Sequence, residues 1–479
     1  MSEIRTVPPK LTRNEWNALL DHGLEKDASY IIRKKEGFVQ AVNGSTGKID
    51  HSGTDLSDVV QSVLDGLSNG LIVFKNASYT QAATIVLNKS GLVLRGESRR
   101  GVVITQSNGA GFDLQGDSAT NSQLLDVVIE NLTVDGGNEG RGITSDSMGD
   151  NKKLHNLTIR NLEMRNFKSG TGFSNGQPCV GLKNFDESLI ENCYLHGSRT
   201  ACVKLYAGGA TGYFGGNMTV RKCIIDSETA TGYDLLIDTT NNSDRELHNF
   251  LFDDNHFYSA TPHWSVGLVT SGGMIKHLTI RKCRNEGTSL IKHVEGSGTV
   301  KGLRILDCEV APAAGLVNSI VLSENTVESQ IRDCWCEAGE ANVTILDQNT
   351  NKTLRNCVCG NHFHGSGSFL TASKATVALD NSGYNPVGIV ATPFDNSTGE
   401  ISLSGTSGNP VAGLDYEVSN ADIVLTSTGG TGVSITVKSP TGAVVASGLA
   451  SLNAFHVPLG FKIDFGAFTS PPDVTVAFC

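Results

Sequence analysis

The sequence is poor in aromatic residues and has no long hydrophobic run. Phe, Trp and Tyr make up 6% of its 479 residues, and no apolar stretch reaches the roughly 18 residues that a membrane span needs. The net charge of -11 disfavours nucleic acid as a partner, because nucleic-acid binding requires clustered Lys and Arg. The start, Met1-Ser2-Glu3, lacks the basic-then-apolar order of a secretory signal. We therefore expect no nucleic acid partner, no membrane insertion and no Sec-type signal peptide.

The cysteines are numerous, but their spacing indicates neither disulfides nor zinc. Eleven are present, an odd number, and Cys334-Trp335-Cys336 and Cys357-Val358-Cys359 lack the two-residue gap of common zinc sites. His362 and His364 flank Phe363 without an evident third ligand. We expect reduced thiols, no metal site and no cofactor.

Cysteine instead marks a repeat. Six cysteines follow a short Ile- and Val-rich run and then Asn, Lys or Asp: Cys193, Cys223, Cys283, Cys308, Cys334 and Cys357. Leu132, Leu162 and His256 hold the same position elsewhere, and neighbouring markers are 23 to 33 residues apart. Apolar residues three before and two after each marker have strand spacing. The pattern predicts a solenoid built from strands.

The residues around each marker predict how the coils stack. The position two before the marker alternates in charge: Glu130, Arg160, Glu191, Arg221, Asp254 and Arg281. The residue between is often Asn, which tolerates a left-handed backbone and so a sharp corner: Asn131, Asn161, Asn192, Asn255 and Asn356. Parallel coils about 4.8 Å apart would bring the opposite charges together. The marker cysteines then stack inside the coil, with Cys336 over Cys359 and Cys179 over Cys202 as second columns.

One coil departs from this pattern. Asp253 takes the place of an inward Ile, and His256 takes that of an inward Cys. The sequence predicts either a buried Asp–His pair, which must be hydrogen-bonded to be tolerated, or a bulge in the strand. We interpret either one as structural in preference to a catalytic dyad.

A helix is predicted ahead of the repeat. From Thr54 the apolar residues follow helical spacing: Leu56, Val59, Val60, Val63, Leu64 and Leu67. Such a helix would lie across the open end of the solenoid and cover its backbone edge. A hairpin with strands Tyr30 to Arg33 and Phe38 to Val42 precedes it.

The same segment resembles a known family. Ser52-Gly53-Thr54-Asp55, Asn69-Gly70 and the run from Ile72 to Tyr79 are similar to the entry cap of pectate-lyase-like right-handed parallel β-helix proteins, which include viral tailspikes. The resemblance covers roughly residues 50 to 380 and implies the right-handed sense of the coil. The fold class is thus all-β: a right-handed single-stranded parallel β-helix with an N-terminal capping helix and a small C-terminal β-sandwich.

The chain divides into four parts. Residues 1–50 form an N-terminal attachment or cap segment, 51–385 the β-helix, 386–400 a linker rich in Gly, Pro, Asn and Ser, and 401–479 the sandwich. The sandwich strands are predicted at Asp422 to Thr426, Val433 to Val437, Ala443 to Ala446, Phe461 to Phe465 and Val474 to Ala477. This last part resembles C-terminal domains of viral tail proteins, which implies trimerisation or receptor binding; a carbohydrate-binding module is the alternative.

Candidate functional residues come from the longer coils between Leu132 and Cys283, because sites usually lie on loops of a rigid scaffold. Five aromatic residues there form a candidate carbohydrate-binding surface: Tyr206, Tyr213, Phe214, Tyr258 and Trp264. Asp226, Glu228, Asp234 and Asp238 are weak catalytic candidates, and the catalytic residues are otherwise unknown. Asp234 and Asp238, on one face of a strand, would lie about 13 Å apart, too far for a hydrolytic pair without a neighbouring coil. Lys204 falls near Asp238 by column.

Three functions fit this sequence. The leading hypothesis is a viral tailspike-like protein or surface adhesin, a homotrimer at the virion tail or extracellular surface, that binds host polysaccharide and in one version cleaves it. The alternative is a polysaccharide lyase, glycoside hydrolase or epimerase. The third is a purely structural filament or surface-layer protein.

Overall fold

A computed structural model describes most of the chain before residue 380 and the C-terminal strands. The described residues are 28–117, 123–148, 152–167, 177–198, 200–208, 214–228, 232–239, 246–259, 262–270, 272–294, 298–311, 316, 318–338, 343–349, 354, 356–365, 368–371 and 376–379, together with seven short strands after residue 414. Within these ranges, no helix combines the length and hydrophobicity that a membrane span requires.

Each coil adds one strand to each of three parallel sheets. The coil that starts at Thr158–Arg160 continues through Glu163–Arg165 and Val180–Lys183, and the next coil starts at Ser188–Glu191. Inward residues stack in register, as Ile129, Ile159 and Ile190 do on one sheet. Their burial forms one continuous core inside the coil. The fold is a right-handed parallel β-helix, as predicted, and the resemblance to pectate-lyase-like proteins is confirmed for the fold.

The three sheets are numbered in the order in which a coil visits them. Sheet 1 contains Tyr30–Lys35, Phe38–Asn43, Ile49–Gly53, Gly70–Phe74, Leu92–Gly96, Val128–Glu130, Thr158–Arg160, Ser188–Glu191, Phe214–Arg221, Glu246–Asp253, Met274–Arg281, Thr299–Lys301, Arg304–Leu306, Thr326–Val327, Gln330–Arg332, Asn356–Cys359 and Thr376–Leu379. Sheet 2 contains Ala77–Gln81, Val102–Gln106, Thr133–Asp135, Glu163–Arg165, Tyr194–His196, Ile224–Asp226, His256–Tyr258, Arg284–Glu286, Glu309–Val310, Trp335–Ala338 and His362–Gly365. Sheet 3 contains Ile85–Leu87, Phe112–Leu114, Ile143–Thr144, Val180–Lys183, Ala201–Tyr206, Tyr233–Asp238, Trp264–Val269, Ser289–Val294, Asn318–Leu322, Val343–Asp347 and Ser368–Thr371. A small fourth sheet contains Leu124–Leu125, Leu154–His155 and Phe185–Asp186.

The first strands of the chain are antiparallel, and a helix follows them. Tyr30–Lys35 pairs with Phe38–Asn43 in a hairpin, two residues and one residue longer than predicted. The helix Leu56–Gly66 starts two residues later than expected, because the Asp55 carboxylate caps it by accepting from the Ser57 N–H at 2.8 Å.

The helix lies against the first strand of sheet 3. Gln61 accepts the Val86 N–H at 2.9 Å, and Ser57 accepts the Ala83 N–H at 3.1 Å. Val60 and Val63 on its buried face belong to the same apolar core as the coil interior. Side chains of the helix thus satisfy backbone donors at the outer edge of this sheet.

A left-handed residue turns the chain from sheet 1 to sheet 2 in most coils. Asn131, Asn161 and Asn192 have φ of 59°, 53° and 53°, as the sequence predicted. The prediction is wrong for Asn255 and Asn356, which are buried and have no positive φ. Other residue types take this corner elsewhere: Lys222, Asp254, Lys282, Asp307 and Asp333.

The coil that contains Asp253 and His256 follows the regular pattern, so the predicted buried pair or bulge is wrong. Phe252 is the inward residue, and Asp253, not Asp254, holds the outward charged position. Asn255, rather than His256, occupies the marker position and is buried. The predicted register was wrong by one residue, because Asp253 and Asp254 are both acidic and either one fits an alternating charge column.

Five of the six marker cysteines stack in one column. Each Sγ–H lies 3.2 or 3.3 Å from the carbonyl two residues earlier and 3.6 to 3.9 Å from the carbonyl of an inward residue of the preceding coil: Cys193, Cys223, Cys283, Cys308 and Cys334. Cys357 lies outside this column, four residues before Asn361, whose side chain bonds to the backbone of Cys334. Cys336 stacks on Phe363 and not on Cys359.

The cysteines described by the structure are free thiols. Cys179 and Cys202 are neighbours in the buried interior. Burial raises the pKa of Cys202 and of Cys336, so both thiols stay neutral.

The C-terminal part contains two antiparallel sheets. One has four strands: Asp415–Glu417, Ser434–Lys438, Val444–Leu449 and Lys462–Phe465. The other has three: Ala421–Thr426, Phe455–Val457 and Asp473–Ala477. Two of these seven strands, Asp415–Glu417 and Phe455–Val457, were not predicted. The proposed linker, 386–400, lies outside the described residues, and the sandwich remains a prediction.

Candidate functional site

The outer face of sheet 2 exposes apolar and aromatic side chains. Ile224, Tyr258 and Trp335 are 46%, 42% and 45% exposed, and they are three of the five large hydrophobic residues exposed in the described ranges. Alternation along each strand sends these side chains outward while neighbours such as Phe257 fill the core. Exposed apolar surface on a folded protein often marks a binding site.

The strand register lines up the outward residues of successive coils. One column of this face reads Thr133, Glu163, Tyr194, Ile224, His256, Arg284, Glu309, Trp335 and His362. Five strand spacings separate Tyr194 from Trp335, about 24 Å. The face is therefore a straight, rigid strip parallel to the axis of the coil.

Histidine rings pack beside the aromatic rings on this strip. The ring centroids of Tyr194 and His196 are 4.2 Å apart and stacked, and those of Trp335 and His362 are 4.3 Å apart. These contacts hold the rings in place, since each limits the rotamers of its partner. We call the outer face of sheet 2 from Tyr194 to His364 the aromatic strip.

A cleft of about 400 Å³ opens at the N-terminal end of the aromatic strip. Arg99, Arg100 and Arg165 line it together with Glu163 and Tyr194. The formal charge of these side chains is +2, in a protein whose net charge is -11. The cleft is thus a local positive region beside the first ring of the strip.

A second polar cluster lies on sheet 3. Tyr206 and Asp238 are in register on neighbouring strands, and the Lys204 ammonium lies 3.4 Å from the Asp238 carboxylate and 5.1 Å from the centre of the Tyr206 ring. The Tyr206 hydroxyl donates to the Asp146 carboxylate. The cluster combines a phenol, an ammonium group and carboxylates, the group types that acid–base catalysis uses.

The electrostatics of this cluster keep the phenol neutral. Burial raises the pKa of Tyr206, and the negative charges of Asp146, Asp113 and Asp238 raise it further. One carboxylate oxygen of Asp113 is buried with no hydrogen-bond partner in the described part of the chain. A phenol in this setting donates a proton or a hydrogen bond and does not act as a base.

Ser227, His263 and Asp234 meet inside the protein. His263 Nε2 lies 2.9 Å from Ser227 Oγ and 3.0 Å from Asp234 Oδ1, and both His263 and Asp234 are buried. A catalytic triad needs the acid on one ring nitrogen and the nucleophile on the other. Here both contact the same nitrogen, so the cluster joins neighbouring coils and is not a nucleophilic site.

The predicted acids separate into different environments. Asp234 is buried, and desolvation raises its pKa to about 6 against the opposing effect of His263. Burial also raises the pKa of Asp226, whose carboxylate accepts the Glu228 N–H at 2.9 Å. Glu228 lies 3.4 Å from His196 at the edge of the aromatic strip. Asp238 alone faces outward on sheet 3, beside Lys204 as the column predicted.

The predicted aromatic residues do not form one surface. Tyr206 and Trp264 are on sheet 3, about 17 Å apart along the strand direction, and the Lys292 ammonium lies 5.8 Å from the Trp264 ring. Tyr258 is on the aromatic strip of sheet 2. Phe214 begins a strand of sheet 1, with its side chain outside the description, and Tyr213 lies outside the described residues.

Sequence reasoning missed Tyr194, Trp335 and the paired Arg99 and Arg100. Tyr194 and Trp335 directly follow a marker cysteine, a position whose alternation with the buried marker sends the side chain outward. Arg99 and Arg100 are the only adjacent arginines of the sequence. The repeat therefore contained the signal for the two aromatic residues, and the adjacent arginines were visible in the sequence.

Histidine on the strip does not assemble a metal centre. The described residues contain no group of three or more His, Cys, Asp or Glu side chains placed to hold a metal ion. His362 and His364 instead pack against the Trp335 ring, with centroid distances of 4.3 and 6.2 Å.

Comparisons with known proteins find similarity in structure but not in sequence. No protein-family model matches the chain, and no curated protein sequence is similar to it. The mannuronan C-5 epimerase AlgE4 A-module of Azotobacter vinelandii has 13% identity and a TM-score of 0.42, over 69% of this chain and 94% of that one. PfbA, a surface adhesin of Streptococcus pneumoniae, has 13% identity and a TM-score of 0.43, over 66% and 90%. ORF18 of Geobacillus virus E2 has 12% identity and a TM-score of 0.38, over 92% and 86%.

Proposed function

We propose that this protein is a surface adhesin of the viral tailspike type that binds an extended cell-surface polysaccharide along the aromatic strip. The observation that carries the proposal is the alignment of exposed rings, Tyr258 and Trp335 among them, on one straight face. In this proposal the protein acts at the virion tail or extracellular surface as a homotrimer.

The chemistry of the strip suits a sugar chain. Pyranose rings present C–H groups that pack on aromatic faces, and their hydroxyls bond to nearby polar side chains. The strip offers both, since Tyr258 is followed across the sheet by Glu286 and preceded along its own strand by His256. Rings held on a stacked β-scaffold lose little conformational freedom on binding, which favours affinity.

The C-terminal region has a separate place in this proposal. Residues 401–479 would serve trimerisation or receptor binding, while residues 51–385 carry the polysaccharide. Light scattering on the full chain and on a chain lacking 401–479 tests this division: a trimer that becomes a monomer on deletion supports it, and an unchanged state contradicts it.

A glycan array on the full chain, followed by affinity measurement with a captured polysaccharide, tests the binding surface. We expect Trp335→Ala and Tyr258→Ala each to weaken binding by about tenfold, the effect of losing about 1.4 kcal/mol of ring contact. Phe38→Ala is the matched control, because Phe38 is 50% exposed but lies on sheet 1. Equal losses in all three variants would contradict a site on sheet 2.

The products of the same incubation separate the other hypotheses. New reducing ends or unsaturated sugars would favour a hydrolase or lyase, with Tyr206, Lys204 and Asp238 as the proposed catalytic residues of the sheet 3 cluster. The remaining acids, Asp226, Glu228 and Asp234, are buried or paired and would be secondary candidates. Absence of binding to every glycan would favour a structural filament.

A further inference from the structure

We propose that the arginine cleft at the end of the aromatic strip is an anion subsite, and that the bound polysaccharide therefore carries carboxylate, sulfate or phosphate groups. The inference deepens the proposed function and rests on it, since the cleft extends the same outer face of sheet 2. In this proposal Arg99 and Arg100 contact the anion directly, and Arg165 also lines the cleft.

Arg165 is held in place by its neighbours. Its Nε donates to Asp135 Oδ2 at 2.8 Å, and its Nη1 donates to Glu163 Oε1 at 3.1 Å. These bonds fix the guanidinium plane but leave it with further N–H donors. Glu163 Oε1 also lies 3.9 Å from His196 Nε2.

Arg99 and Arg100 have no ion-pair partner among the described residues, which distinguishes them from Arg95, Arg160 and Arg281 of sheet 1. In the charge column of that sheet Arg95 and Arg160 contact Glu130, and Arg281 contacts Asp253. Arg99 and Arg100 line one cleft without ion pairs, so their charges repel each other there, and an anion bound in the cleft relieves that repulsion. The planar fork of Arg matches carboxylate, sulfate and phosphate oxygens.

The backbone that carries the two arginines is fixed before any ligand binds. The Thr133 hydroxyl donates to the Arg99 carbonyl at 2.7 Å, and the Ser98 hydroxyl accepts the Gly101 N–H at 3.1 Å. Gly101 passes so close to Asn76 that an added Cβ would lie 2.1 Å from its side-chain oxygen. A tight turn of this kind presents both side chains from a rigid base, which lowers the entropic cost of binding.

The position of the cleft links it to sugar binding. Val103, Thr133, Glu163 and Tyr194 are in register on neighbouring strands and all line the cleft, so the cleft spans three coil spacings, about 14 Å, and ends at the first ring of the aromatic strip. A sugar stacked on Tyr194 would place a charged substituent within reach of the arginines. The overall charge of -11 makes this local attraction selective, because the remaining surface repels polyanions.

The test compares charged and neutral forms of the same glycan on the full chain. The probes are a uronic-acid polysaccharide and its carboxyl-reduced form, a sulfated glycan and its desulfated form, and a phosphodiester-containing glycan beside a neutral chain of the same sugars. We expect wild type to bind at least one charged form about tenfold more tightly than its neutral partner, and the three pairs identify which anion is recognised. The preference should shrink as salt rises.

The double variant Arg99→Gln/Arg100→Gln should abolish that preference, because binding to the charged form weakens by about tenfold more than binding to the neutral form. Arg304→Gln is the matched control, because Arg304 is exposed on sheet 1 and also lacks an ion pair in the described residues. Arg99→Lys/Arg100→Lys should retain part of the preference, since the charge remains but the planar fork is lost.

The outcomes separate this inference from the proposed function. If Trp335→Ala weakens binding but the double Gln variant keeps the full preference, the anion subsite is wrong and the aromatic strip stands. Equal affinity of wild type for charged and neutral forms also overturns the subsite. The subsite is also contradicted if the double variant loses neutral and charged binding to the same extent. If neither Trp335→Ala nor Tyr258→Ala alters binding, the proposed function itself is wrong.

Discussion

The marker residue, which directly follows the left-handed corner between sheets 1 and 2, connects one coil to the coil before it where it is Cys or Asn. Cys223 and Cys283 place their thiols near the carbonyls of Ile190 and Phe252. Asn255, in the same position, donates its amide N–H to a preceding-coil carbonyl at 2.9 Å and accepts the Cys223 N–H at 3.0 Å. Cysteine and asparagine therefore exchange at this position because both can donate to the same backbone oxygen.

Asn255→Ala should destabilise the protein by about 1 to 3 kcal/mol. The substitution leaves the Val220 carbonyl and the Cys223 N–H buried without their partner, and unsatisfied buried groups cost that much. Chemical denaturation of the full chain measures the change. Asn255→Cys should fall between alanine and wild type, because the thiol restores only the donor; a Cys variant less stable than Ala would contradict the assigned role.

His293 makes stability depend on pH. The ring is buried, and its nitrogens contact the hydroxyls of Thr270, Ser323 and Thr326 at 2.6 to 2.8 Å. Burial lowers its pKa from 6.5 to about 4. The unfolded chain therefore takes up a proton below pH 6.5 while the folded protein resists it until about pH 4, so stability is lost as pH falls through this window, by about 3 kcal/mol.

Melting temperatures of wild type and His293→Gln between pH 7 and about 4 test this prediction. The variant should be less stable at neutral pH but should lose less on acidification. Asp234, with a raised pKa of about 6, acts in the opposite direction, since its stabilising proton is lost as pH rises from about 4 to 6; it is common to both proteins and cancels. The exposed residue His277 supplies the control, and an identical pH slope in wild type and His293→Gln would refute the prediction.

At the scale of the element, the charged column of sheet 1 fixes how strands align. Glu130 is 3% exposed and contacts both Arg95 and Arg160 from the coils on either side. Burial alone would raise the pKa of Glu130, but the hydrogen bonds and charges of the two arginines outweigh it and leave the pKa lower than usual. A slip by one residue would leave this carboxylate buried without a cation, so the column enforces register.

The strands of the coil could be predicted from the sequence, because apolar spacing and alternating charge report stacking directly. The replacement of Cys by Asn at the marker position could not be predicted from these patterns. Where Asn replaces Cys, the sequence alignment of the coils placed the marker wrongly. His256 was taken as the marker instead of Asn255, and Cys357 instead of Asn361. Coil lengths vary with their loops, so only the pairing of strands fixes the register.

The candidate site was predicted less well than the fold. Lys204 was placed near Asp238 by column, and the structure brings both together on sheet 3 with Tyr206, which had been predicted only as part of an aromatic surface. The aromatic strip was not predicted, because its rings come from single outward positions, as in Tyr194 and Trp335, spread over many coils. Such a surface forms only when the register of every intervening coil is known.

At the scale of the whole molecule, each described parallel strand of the β-helix pairs only with strands of the adjacent coils. The buried core is nevertheless continuous along the axis, from Ile32 near the start to Phe363 near the end. Stability in such a solenoid is a sum of coil terms and nearest-neighbour terms. A substitution that destabilises one coil should therefore reduce the stability of the adjacent coils and leave distant coils unchanged.

Hydrogen exchange on the full-length Asn255→Ala variant tests this range. Amide protons in the coils on either side, from Met218–Arg221 to Thr279–Arg281, should exchange faster than in wild type, because the lost amide joined two of these coils. Strands Leu92–Gly96 and Val128–Glu130, several coils away, should keep their protection. Faster exchange throughout the β-helix would instead mean that the coils unfold as one cooperative unit, and the nearest-neighbour description would then fail for this protein.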